Sequence, residues 1–112
     1  MRGDIVMTLT AQGTGTVVSS VFANSGEAGV VMAALHVSAV GGTPSAVLTV
    51  EESATGQGSW TAVAGGTAAA LAAAGSAVAV VVPTKSYVRL SVAVSGTTPS
   101  VTGSGVALVF TD

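Results

Sequence analysis

Cysteine is absent from the 112-residue sequence, which removes disulfide frameworks, thiolate nucleophiles and cysteine-ligated metal centres together. Charge is nearly absent as well. Asp, Glu, Lys and Arg make up 7% of the chain, against about 25% in ordinary soluble domains. Three cations (Arg2, Lys85, Arg89) stand against five acids (Asp4, Glu27, Glu51, Glu52, Asp112), for a net charge of −2. Neutralising phosphates takes several clustered Lys or Arg, so no nucleic-acid partner is expected. Aromatics are equally scarce: Phe22, Trp60, Tyr87 and Phe110 are too few for a base-stacking platform or a carbohydrate-binding face. Trp60 is expected to be the main plug of the core, and Tyr87 a half-buried strand residue.

The same poverty limits chemistry. His36 is the one histidine, with no second histidine, cysteine or nearby acid to complete a metal site or an acid–base pair. Glu51 and Glu52 are adjacent, so on a strand they point to opposite faces and cannot act as a carboxylate pair. Glu52 is expected at the strand end, in solvent. Gly13-Thr-Gly15 lacks the further glycine, helix and Lys-Ser/Thr of a nucleotide loop and reads as a turn. A Ser-His-Asp triad would have to combine His36 with Asp4 or Asp112, both near the ends. No catalytic residue, cofactor or metal is expected, and the protein is not expected to be an enzyme. Ala62 to Val82 carries no charge and is long enough to span a bilayer. Its Ala and Gly content and its lack of flanking cations argue against a membrane helix. The opening residues, with Asp4 early and no sustained apolar stretch, do not read as a secretion signal.

What the chain does have is β-branched and small residues: 49% hydrophobic, 15 glycines and a mean hydropathy of +0.76. With so little charge, its surface must be built from Thr, Ser, Gly, Ala and Val, or be partly hidden in an assembly. Period-two alternation marks short strands at Gly15 to Phe22, Val30 to Val40, Ala46 to Ser53, Trp60 to Val63, Ser76 to Val82, Tyr87 to Val94 and Gly105 to Phe110. Gly41-Gly-Thr-Pro-Ser45 and Thr55-Gly-Gln-Gly58 read as turns between them. Thr67 to Ala74 has helical propensity but is too short for a stable helix and lies between strands, so loop or strand is expected. The fold class is all-β, an antiparallel β-sandwich (small jelly-roll or Ig-like), with a small β-barrel as the alternative. Residues 1–14 are expected to form an N-terminal arm and 15–112 a single sandwich domain.

One internal echo stands out. Leu35-His-Val-Ser-Ala-Val-Gly-Gly-Thr-Pro-Ser45 matches Leu90-Ser-Val-Ala-Val-Ser-Gly-Thr-Thr-Pro-Ser100 at an offset of 55, an alternating strand running into a Gly-Thr-Pro-Ser corner each time. Convergent turn chemistry and a pseudo-symmetric sandwich both account for it.

These segments, with Gly58-Ser-Trp60-Thr and the Tyr87-Val-Arg-Leu strand, resemble a group of small structural proteins of tailed bacteriophages, over roughly residues 30 to 110. The chain departs from that group in being richer in Ala and poorer in charge across Ala62 to Ala74. The resemblance implies a virion protein, most specifically a head decoration (cement) protein on the outer capsid surface. Its partners would be the major capsid protein and further copies of itself, often as a homotrimer. A tail, baseplate or fibre-associated protein is the first alternative, and a carbohydrate- or protein-binding adhesion module the second. Met1 to Gln12, with apolar Ile5, Val6, Met7 and Leu9, is expected to supply a capsid or subunit contact by adding a strand to another sheet.

Overall fold

A strand that alternates apolar and polar residues can bury one side and wet the other, and most of this chain is written in that period. The computed structural model describes residues 3–23 and 29–111 and contains no helix among them. Its strands are β1 (Gly3–Gln12), β2 (Gly15–Val18), β3 (Phe22–Ala23), β4 (Gly29–Ser53), β5 (Thr61–Thr67), β6 (Gly75–Val81) and β7 (Tyr87–Thr111). β4 and β7 pair antiparallel along their whole length, from Gly29↔Thr111 to Ser53↔Tyr87. Both bend midway, so one hydrogen-bonded sheet folds into two layers. The first layer is β1, the second half of β7, the first half of β4, and β6. The other is β2 with β3, the first half of β7, the second half of β4, and β5.

Between the layers lies one core of aliphatic side chains. Leu9, Leu35, Leu48 and Leu90 are among its largest fully buried members, surrounded by valines and alanines. This is the expected antiparallel β-sandwich. Trp60 is not its plug. It is only partly buried, and the cation of Arg89 lies over its ring, 4.3 Å from the centroid. An indole needs a wide, irregular hole, and a core of Val, Ala and Leu between two flat layers offers none.

The turn expected at residues 41–45 is a corner within a continuous strand. Register shifts between Val37 and Ala39 and between Gly41 and Thr43 bend β4 against β7 without ending the ladder. The two Gly-x-Thr-Pro corners lie against each other, with Gly41 opposite Ser100, Thr43 opposite Thr97 and Pro44 opposite Gly96. Close approach demands glycine here: a Cβ on Gly96 (φ +119°) would sit 2.0 Å from the Thr43 carbonyl oxygen, and one on Gly42 (φ +66°) 2.1 Å from that of Thr98.

The echo is therefore structural. For Met32 to Val37, adding 55 to the β4 residue and subtracting 55 from its β7 partner returns another pair of the same ladder, as Val37↔Gly103 becomes Val92↔Leu48. The outer strands obey the same operation. β1 flanks the second half of β7 as β5 flanks that of β4, and β6 flanks the first half of β4 as β2 and β3 flank that of β7. The chain is two similar units, each a pair of outer segments followed by a long bent strand, related by a pseudo-two-fold axis through the corners.

One further segment differs from expectation, and one agrees with it. The residues read as an arm form β1, an integral outer strand of the first layer, with Ile5, Met7 and Leu9 in the core. The alanine-rich stretch after β5 stays extended because it is tied to β4: Ala68 N donates to Leu48 O, and Leu71 and Ala46 exchange two backbone hydrogen bonds, all at 2.9 Å.

Candidate association surface

The two outward faces of the sandwich have opposite chemistry. On the second layer Glu51 and Arg89 stand directly opposite each other, and Arg89 Nε donates to Glu51 Oε1 at 2.8 Å. Trp60 stacks on the same guanidinium. Thr49 reaches Thr67 through their hydroxyls at 3.4 Å, and Lys85 Nζ donates to Thr61 Oγ1 at 3.3 Å. This is how a protein poor in charge wets a sheet: short hydroxyls, the Glu51–Arg89 ion pair and the amine of Lys85.

The outside of the first layer is different. Cross-strand register lines up Val6, Val106, Ala34 and Val78 in one row across four strands. Leu108, Met32 and Val80 form the next. Val30 and Phe110 continue the face. Val78 is 59% exposed, Val6 58%, Val80 56% and Met32 44%. Val30 and Val106 are also more than a third exposed, so the aliphatic exposure is contiguous across the face. A polar row of Thr8, Ser104, His36 and Ser76 bounds it, with His36 Nδ1 and Ser76 Oγ 3.0 Å apart.

Strand β6 builds much of this face, and its order of residue sizes is unusual. Ala77 and Ala79 point into the core while Val78 and Val80 point out. A strand that only had to seal a core would place them the other way. That reversal is present in Gly75-Ser-Ala-Val-Ala-Val-Val81, but an uninterrupted apolar run does not say which side is inward until neighbouring strands fix it. Of the four residues expected to make a contact, Val6 lies on this face. Ile5, Met7 and Leu9 are buried beneath it, at 3%, 6% and 1% exposure.

The remaining polar candidates are not brought together. His36 is exposed on the bounding row, and among the described residues no three His, Asp or Glu side chains are placed to hold a metal ion. Glu52 is buried, not solvated at a strand end. Its Oε1 accepts from the backbone N–H groups of Thr84 (2.8 Å) and Lys85 (3.1 Å) and from the Thr84 hydroxyl (3.4 Å). The segment after β6 folds back over the carboxylate, and its amides replace the water the group gives up. Among the described residues no helix is long and apolar enough to cross a membrane.

Fold and surface together define a β-sandwich module with one wetted and one apolar outer face. No protein-family model matches the chain, and no curated protein matches it significantly. Solved structures do share the fold. PBSX exported protein XepA superimposes with a TM-score of 0.65 at 15% identity, over 95% of this chain and 36% of XepA. This chain thus spans about a third of that protein. PirA gives a TM-score of 0.50 at 11% identity, over 95% of this chain and 92% of PirA. The CBM35 of Cellvibrio japonicus Abf62 gives 0.47 at 10% identity, over 98% of this chain and 99% of that module.

Proposed function

We propose that the protein is a structural component of a tailed-phage particle, a head decoration protein held on the outer capsid surface, which acts by association and not by catalysis. The observation that carries this reading is the apolar face on the outside of the first layer. A lone soluble domain gains nothing from displaying it, whereas a protein that functions packed among others gains by covering it. The phage context comes from the sequence resemblance over residues 30–110. The sandwich shared with the PBSX exported protein XepA accords with it. As a decoration protein the chain would bridge neighbouring copies of the major capsid protein and resist pressure from packaged DNA.

Co-sedimentation with capsids assembled without the protein tests this. Saturable binding, in a fixed ratio to the major capsid protein, is the expected result. If the protein stays in the supernatant with capsids but co-fractionates with isolated tails, the tail alternative replaces it. Binding to neither, together with retention on a glycan array, would favour the adhesion module.

A further inference from the structure

Resting on the reading of the apolar face as an association surface, we infer that its occupant is a second copy of this chain, packed face to face about a two-fold axis. The molecule contains its own control for how such a face looks when it is meant for water. Under the 55-residue offset, the outward cross-strand pair Ala34 and Val106 of the first layer corresponds to Arg89 and Glu51 of the second. The same unit, used twice in one chain, thus carries charge on one outer face and aliphatic residues on the other. The difference is not a requirement of the fold.

Three properties of the face select a copy of itself. Its central row of Val6, Val106, Ala34 and Val78 is uncharged, so a facing surface must be equally neutral or leave charge unpaired; the face itself meets that demand. A sheet of outward valines is flat and ridged, and two such faces stack as sandwich layers do, about 10 Å apart with interdigitating side chains. Val6, Val30, Met32, Val78, Val80 and Val106, each more than a third exposed, form one continuous apolar area across four strands, as the core of a standard stable interface of roughly 800 Å² per partner requires. One self-complementary patch closes as a pair and stops there, because an isologous contact uses itself up.

Light scattering on the full chain after size exclusion, across a dilution series, tests this. The wild type should show twice the chain mass of 10.6 kDa. Val80→Lys should raise the dissociation constant at least tenfold, and Thr49→Lys on the wetted face should leave it unchanged. Because the chain has no cysteine, single-cysteine variants give a second readout that does not rely on disruption: Val78→Cys should oxidise to a disulfide-linked pair, and Thr49→Cys should not. A wild type that is monomeric at about 100 µM, an assembly of any other order, or a pair indifferent to Val80→Lys would overturn the inference. Capsid co-sedimentation separates it from the reading it rests on. A pair that never binds capsids sinks the decoration role alone, and a monomer that binds them through Val80 sinks the pairing alone.

Discussion

A carboxylate taken out of water must be given donors, and Glu52 receives them from two backbone amides and a hydroxyl. Removing it leaves the N–H groups of Thr84 and Lys85 without their acceptor in a half-buried pocket. Glu52→Ala should lower the unfolding free energy by about 2–3 kcal/mol, and Glu52→Gln, which keeps one acceptor oxygen, by about half as much, as read by urea denaturation. The adjacency of Glu51 and Glu52 in the sequence was enough to place them on opposite faces. It could not reveal that Pro83 to Lys85 fold back over one of them, because that contact joins residues more than thirty positions apart. Trp60 went astray for a related reason. Size and hydrophobicity mark a residue for burial, but Arg89, which holds the ring on the surface, lies two strands away in the chain.

At the scale of elements, the alternation of Tyr87 to Val94 and of Val30 to Val40 was sufficient to mark strands and their inward sides. The corners were harder. A Gly-x-Thr-Pro sequence fixes local dihedrals in the same way whether the chain reverses or only bends, and the pairing of β4 with β7 through both corners decides for the bend. Gly96 has no alternative there. Gly96→Ala should cost about 2–3 kcal/mol, since both the positive φ and the Thr43 oxygen oppose a methyl group; differential scanning calorimetry would register the lower melting temperature. β1 is the second lesson. A terminal apolar segment signals that it will pair with a sheet but not whose, and here its own sheet supplies the partner. Deletion of residues 1–12 should therefore abolish cooperative unfolding seen by circular dichroism, because it strips Ile5, Met7 and Leu9 from the core. Val6→Lys is the substitution that probes surface contact at β1 without that loss.

For the whole molecule, the β-sandwich class and the repeat of a strand-and-corner phrase at a 55-residue offset were both legible in the sequence. The rest of the symmetry lies in backbone pairing, where the outer strands share geometry but little sequence. This makes the order of the two units immaterial to the sandwich. Gly3 and Thr111 lie at the same end of neighbouring strands, and the connection after β4 is mostly exposed. A circular permutant opened between Gln57 and Gly58, with the original ends joined by a short linker, should fold and unfold in one cooperative transition, as thermal denaturation would record.

Because β7 is a central strand of both layers, it also sets a schedule for the birth of the protein. Neither β1 nor the first half of β4 can acquire its main partner until residues 101–111 have been made, and the second half of β4 waits for residues 87–97. The nascent chain must carry its valine-rich segments unpaired until β7 emerges, exposed to edge-to-edge capture by other chains. Acquisition of the sandwich should then be limited by the emergence of β7, and until that point the newborn polypeptide should depend on holding factors.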